Sequence, residues 1–199
     1  MTKTTSTKTT RKKRTYSDAD YNSGDGMLTT VWGPSMWHYL HTMSFNYPVK
    51  PTAEDKKHYR DFILLLQHVL PCKYCRMNFK KNLQDLPLTM KQMESRETFS
   101  RYIFDMHQLI NRMLKKKVHL TYEDVRERYE HFRARCTEDR PKLFVSEKKK
   151  EKGEKGCTEP LYGKKSKCLI KIVPQEDRHA TFHMDKKCIK TRRRRNQTP

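Results

Sequence analysis

The apolar residues of this chain are concentrated in one stretch, between Val31 and about Arg135, and within it they recur at helical steps. Only 34% of the 199 residues are hydrophobic and 34% are charged, so this stretch must hold whatever core forms. Met36, Trp37, Leu40, His41, Ser44 and Phe45 follow one another at steps of one, three and four, the signature of one apolar helix face. Pro34 is read as part of that helix's first turn, where a missing N–H costs nothing. Tyr47-Pro48 and Lys50-Pro51 end it, because a residue before proline is pushed out of helical geometry.

Thr52 with Asp55 three residues on forms an acidic variant of the capping box. It opens a second helix through Tyr59, Phe62, Ile63, Leu66 and Val69, interrupted at Pro71. A third helix starts around Pro71 and carries Phe79 and Leu83. A fourth is capped by Ser95 or Thr98 and presents Phe99, Tyr102, Ile103, Met106, Ile110 and Leu114. Thr121, with Asp124 after it, opens a fifth that turns Val125, Tyr129 and Phe132 inward. Strand-like alternation is almost absent, so the spacing predicts an all-α bundle of about 100 residues. The domain reading is a disordered basic tail over 1–30, the bundle over 31–136, and a basic, partly disordered extension over 137–199. In the extension, SEKKKEKGEKG reads as a charged linker and Cys168–Val173 as a short strand.

The net charge of +21 is uneven: the last 59 residues hold 18 basic and 7 acidic residues and end in the run Arg192 to Arg195. Such runs are ordinarily solvated tails and only sometimes make nucleic-acid or membrane contacts, non-specific nucleic-acid contact being the one kept open for these tails. No recognised nucleic-acid-binding motif accompanies them. No stretch approaches the roughly 20 apolar residues of a membrane span. The N-terminus lacks the apolar core of a secretory signal. MTKTTSTKTTRKKR has the basic, acid-free look of a transit peptide but no Leu, Ile, Phe or Val to build an apolar face.

Six cysteines stand at positions 72, 75, 136, 157, 168 and 188. Without a secretory context, Cys72-Lys73-Tyr74-Cys75 points to redox chemistry or metal. A closed zinc site needs two further ligands, ordinarily a second tight pair, and the other cysteines stand apart, so no metal site is assigned. A thiol at a helix N-terminus lies near unpaired N–H groups and the positive end of the dipole, which favours the thiolate. Lys73 and Arg76 add positive charge. A dithiol alone only exchanges disulfides, and making them from oxygen requires an electron acceptor. Trp32, Trp37, His41 and Tyr47 on the first helix, with His107 and Asn111 at i and i+4 on the fourth, form the aromatic and histidine set that would surround one. Taken singly, each is better explained as core.

Three blocks taken together resemble the Erv/ALR family of FAD-linked sulfhydryl oxidases. Trp32-Gly33-Pro34-Ser35-Met36-Trp37-His38-Tyr39-Leu40-His41, followed by Tyr47-Pro48, resembles the family opening W-G-x-x-x-W-x-x-L-H. Leu70-Pro71-Cys72-Lys73-Tyr74-Cys75 resembles its redox centre. His107 to Lys116 resembles its flavin segment, H-N-x-V-N-x-x-L-x-K.

The resemblance implies a four-helix bundle with a short fifth helix, usually dimeric, with FAD held between helix ends. Trp32, Gly33, Trp37, His41 and Tyr47 from the opening block would belong to the binding set, as would His107, Asn111, Leu114 and Lys116 from the flavin block. Tyr129 stands where the family often has tryptophan. Cys72 and Cys75 would be the catalytic disulfide, with Cys75 nearer the flavin. Protein thiols would be oxidised and oxygen reduced to hydrogen peroxide. Gln108 replaces an asparagine, and Arg133 replaces the second aromatic of the fifth helix. No cysteine lies between Cys75 and Cys136, so the staple of cellular members is missing. That pattern resembles the branch encoded by large DNA viruses, for which host cytoplasm or virion is the expected location, ahead of the mitochondrial intermembrane space. Any shuttle disulfide would have to come from Cys157, Cys168 or Cys188.

Overall fold

Five of the six α-helices among the described residues open on a side chain that caps them. The computed structural model describes residues 16–134, 157, 161, 164–165, 167–174, 176–177 and 184–188. The helices are α1 (Asp18–Tyr21), α2 (Thr29–Phe45), α3 (Ala53–Val69), α4 (Lys73–Asp85), α5 (Arg96–Met113) and α6 (Tyr122–Glu130), with a 3-10 turn at Met90–Met93. Ser17, Thr52, Ser95 and Thr121 close full capping boxes on α1, α3, α5 and α6, and the Cys72 thiol caps α4. Each such cap stabilises its helix by about 1 kcal/mol relative to alanine.

The core sits where these helices meet. Phe99, Ile103 and Met106 of α5 are 2% exposed or less, and they pack with Leu40 of α2, Ile63 and Leu66 of α3, and Phe79 of α4. A second cluster, of Phe45, Tyr122 and Val125 with Phe104 and Tyr129 against it, joins α6 to α2. The Ser100 and Tyr122 hydroxyls share a buried hydrogen bond of 2.7 Å between α5 and α6. No helix among the described residues is long and apolar enough to cross a membrane.

The structure corrects four expectations. First, α2 begins at Thr29, so Pro34 lies inside the helix rather than in its first turn. An interior proline removes one backbone hydrogen bond and crowds the carbonyl four residues back. Contacts on the preceding turn hold it in helix nonetheless: the Trp32 indole donates to Met27 O at 3.1 Å, and Thr29 reaches Cys75.

Second, Leu114 is not on the buried face of α5. It is the C-cap, 51% exposed, because the chain reverses at Lys115, whose φ is 53°. Lys116 N donates to Asn111 O and Lys115 N to Arg112 O, both at 2.9 Å, the Schellman pattern.

Third, Cys168–Val173 forms no strand, and Leu169, Ile170 and Ile172 are exposed. A strand without a partner leaves its backbone groups unpaired. Fourth, the segment ahead of residue 31 is not all tail. Residues 18–21 form a capped helical turn, and Met27 N donates to Pro71 O at 2.8 Å. The remaining tail residues 1–15, Cys136, the charged linker and the terminal arginines lie outside the described residues.

Candidate active site

Pro71 ends α3 and leaves Cys72 in extended backbone (φ −154°, ψ 123°), the geometry an N-cap requires. The Cys72 sulfur accepts from the Cys75 backbone N–H at 3.2 Å, the role a serine or aspartate oxygen ordinarily fills. Cys72 and Cys75 are both free thiols, and both are half-buried. Hydrogen bonds from Cys75, with smaller ones from Thr29 and the Tyr74 backbone, hold the Cys72 thiol below its ordinary range. Burial pushes the Cys75 thiol up, because it packs against the main core. The two thiols are thus shifted in opposite directions, Cys72 toward the thiolate and Cys75 toward the thiol. Arg76 donates through Nη1 to Leu70 O at 2.6 Å and fixes the turn between α3 and α4.

The aromatic and histidine wall lies farther along α2. From Thr29, beside Cys75, to Trp37 is eight residues, about 12 Å of helix. The Trp37 ring stacks on His107 of α5 with centroids 3.9 Å apart and planes 4° off parallel. His41 Nε2 and His107 Nδ1 share a hydrogen bond of 3.0 Å. His41 is 4% exposed, and burial, then His107, then His38 lower its pKa to about 3. His107 is lowered to about 4 by burial and by the charge of Lys116. Both rings are therefore neutral at pH 7. Tyr129 of α6 closes the wall, its hydroxyl 3.2 Å from His38 Nδ1 and its ring 5.3 Å from that of His41.

One atom here lacks a partner. His41 Nδ1 is buried without a hydrogen bond, and a buried polar atom left so costs about 1–3 kcal/mol. Among the described residues no three His, Cys, Asp or Glu side chains gather as ligands for one ion.

Residues 34–130 match the model of the Erv1/Alr family. The chain is 37% identical over 104 residues to the probable FAD-linked sulfhydryl oxidase of Acanthamoeba polyphaga mimivirus, spanning 52% of this chain and 72% of that one. The chain belongs to the Erv1/Alr family. It is 29% identical over 99 residues to the FAD-linked sulfhydryl oxidase of African swine fever virus, covering 50% of this chain and 80% of that one. It is 32% identical over 84 residues to the mitochondrial FAD-linked sulfhydryl oxidase ERV1 of Saccharomyces cerevisiae, covering 42% of this chain and 43% of the yeast protein. The chain thus spans less than half of the yeast relative. The crystal structure of the yeast Erv1 core aligns at 27% identity over 59% of this chain and 92% of that chain, with a TM-score of 0.47.

Of the residues singled out from the Erv1/Alr blocks, the structure gathers Trp37, His41, His107 and Tyr129 into one wall. Asn111 is buried on α5 one turn beyond His107, and Lys116 follows the α5 cap with its charge felt at His107. Trp32 has its indole N–H on Met27 O instead. Tyr47 sits in the main core, fully buried, with its hydroxyl donating to Met93 O at 2.9 Å and its ring between Tyr59 and Phe99. Leu114 faces outward. Gly33 is half-buried inside α2, and a Cβ there would meet only Thr29 Cγ2, at 3.6 Å.

The family departures find local partners. Gln108 donates to Leu120 O at 3.5 Å, and the Arg133 guanidinium reaches Phe45 O at 3.0 Å while pairing with Glu130. In the extension, Cys157 is disulfide-bonded, Cys168 is free and exposed, and Cys188 is free at the end of a 3-10 turn.

Three further residues stand at the site without having been singled out as site residues from the sequence. His38 and Phe45 flank His41 at i−3 and i+4, so the helical spacing already placed them on its face. Thr29 carried no such signal, because its contact with Cys75 spans 46 positions in the chain.

Proposed function

We propose that this chain is an FAD-dependent thiol oxidase that makes disulfides in protein substrates, with oxygen as the final acceptor and hydrogen peroxide as the by-product. The supporting observation is that α2 joins a polarised dithiol at one end to a neutral, aromatic histidine wall whose His41 Nδ1 lacks a partner. That wall suits a flat heteroaromatic ring. Trp37 and Tyr129 offer faces, and His41 and His107, uncharged, offer hydrogen bonds without the repulsion of a buried cation. Asn111 adds a buried amide, and Lys116 a cation for an anionic part of the cofactor. When bound, FAD supplies the two-electron acceptor that a dithiol lacks and delivers the pair to oxygen.

The chain's own residues carry the exchange. A substrate thiolate attacks Cys72 of the oxidised pair and forms a mixed disulfide, and Cys75 leaves as the thiolate. A second substrate thiolate attacks the substrate sulfur and releases Cys72. The result is one substrate disulfide and a reduced pair holding two electrons. Hydrogen bonds at Cys72 make it the better leaving group in this second step, because a lower thiol pKa speeds departure.

The purified protein is expected to be yellow and to consume oxygen with dithiothreitol. Cys72→Ser and Cys75→Ser should each stop oxygen consumption while the flavin absorbance remains. Full turnover by either variant would overturn the assignment.

The protein thiols that serve as substrates would approach from the exposed side of Cys72, among Lys73, Tyr74 and Met77, the last two 73% and 58% exposed. The working form is a homodimer built on the outer apolar face of α2 and α3, where Tyr39, Leu65 and Val69 are more than half exposed. The place of action that fits the viral relatives is host cytoplasm or virion.

A further inference from the structure

The segment ahead of α2 lies directly against the Cys72–Cys75 turn. Met27 N donates to Pro71 O at 2.8 Å, and Trp32 Nε1 closes back onto Met27 O at 3.1 Å. The approach at Gly26 is closer than any side chain allows. A Cβ there would stand 2.8 Å from Pro71 O and 3.0 Å from Cys72 Cα, both backbone atoms that cannot step aside. At Gly24, two residues earlier, nothing lies within 4 Å of a Cβ. Residues 26–29 thus form a strap across the CxxC turn, tied by backbone at one end and by the Trp32 indole at the other.

The strap sets Thr29 Oγ1 3.6 Å from Cys75 Sγ. Thr29 is the first residue of α2, whose N-cap, Leu28, offers no side-chain cap. Its hydroxyl faces the sulfur of another helix. Cys72 receives the Cys75 backbone N–H at 3.2 Å, and Cys75 has the Thr29 hydroxyl.

We infer that Thr29 is a positioning residue of the redox pair, held by the Gly26 strap so that its hydroxyl stabilises negative charge on the pair. This rests on the redox reading of Cys72 and Cys75 given above. Removing the hydroxyl takes from the half-buried Cys75 sulfur its contact with Thr29 Oγ1. Charge on the pair is then harder to form, and the Thr29 contact indeed works to lower both thiols.

The test is alkylation of the reduced, full-length protein by iodoacetamide under anaerobic conditions, as a function of pH, read by mass spectrometry on the peptide carrying Cys72 and Cys75. Loss of one hydrogen bond to a thiolate should move the alkylation midpoint of Thr29→Val up by about half to one pH unit and slow labelling at pH 7 by about three- to tenfold. Thr29→Ser should restore the parent profile. Gly26→Ala, which must lift the strap, should behave like Thr29→Val, and Gly24→Ala like the parent. A Thr29→Val profile that superimposes on the parent's, or a serine that fails to rescue, overturns the inference. If that happens while Cys72→Ser still abolishes oxygen consumption, the strap role is wrong and the redox reading stands. If Cys72→Ser keeps turnover, both fall.

Discussion

His41 and His107 are built to stay neutral, and the cost appears when the medium turns acid. In the unfolded chain both rings titrate near 6.5, while in the fold burial lowers them to about 3 and about 4. A depressed histidine contributes its full share of stability above the unfolded value and loses it as pH falls, because the unfolded chain then binds the extra proton. Each ring should remove about 1.4 kcal/mol per pH unit between pH 6.5 and about 4. His38, lowered by burial, acts in the same direction. Urea titrations of flavin-free protein from pH 7.5 to 4.5 should show this slope, and His107→Asn should flatten it by roughly the share of one histidine. A midpoint that stays level across the window would mean that the two rings are solvated. Sequence alone placed both histidines on inward faces by spacing, but the bond between them, and hence their joint neutrality, depends on the packing of α2 against α5.

At the scale of elements, the starts of helices were the most legible feature. Thr52 with Asp55 and Thr121 with Asp124 are local devices, complete within four residues, and the structure forms both boxes. The start of α2 was misread because its first turn carries no side-chain cap and Pro34 mimics an N1 residue. That turn is fixed instead by Cys75, Pro71 and Met27, which spacing cannot reveal. The end of α5 was misplaced for a related reason, since Lys115 occupies a left-handed position that sequence rules reserve for glycine or asparagine. A lysine there carries strain of about 1 kcal/mol. Lys115→Gly should therefore raise stability by about 0.5–1 kcal/mol, the gain expected when the residue matches the backbone. Thermal melts of the two proteins decide it; an unchanged or lower melting temperature would show that the Lys115 side chain has a partner worth more than the strain.

At the scale of the molecule, the all-helical plan, the CxxC and the histidine wall were readable, because apolar periodicity and family blocks coincide over the same hundred residues. The outer face of α2 and α3 was not. Val69 fits the inward pattern of α3, yet it is 57% exposed, with Leu65 and Tyr39 beside it at 54% and 53%. Three large apolar side chains on one face are a surface that a second copy would cover. Val69→Glu and Leu65→Glu should each shift the protein from dimer to monomer in sedimentation, with the flavin absorbance retained. A parent protein that sediments as a monomer at all concentrations would remove the dimer from the proposal.

The aromatic wall also straddles a seam. His107 stands on α5 with the main core, whereas Tyr129 stands on α6, which packs through the separate cluster of Phe45, Tyr122 and Val125. A short helix attached through a satellite cluster opens locally at less cost than the whole domain unfolds. Anything resting between Trp37 and Tyr129 then acts as mortar between two blocks. Its residence time and the breathing of α6 become one quantity, so a change far from the wall that loosens Tyr122 would be felt as a leakier cofactor.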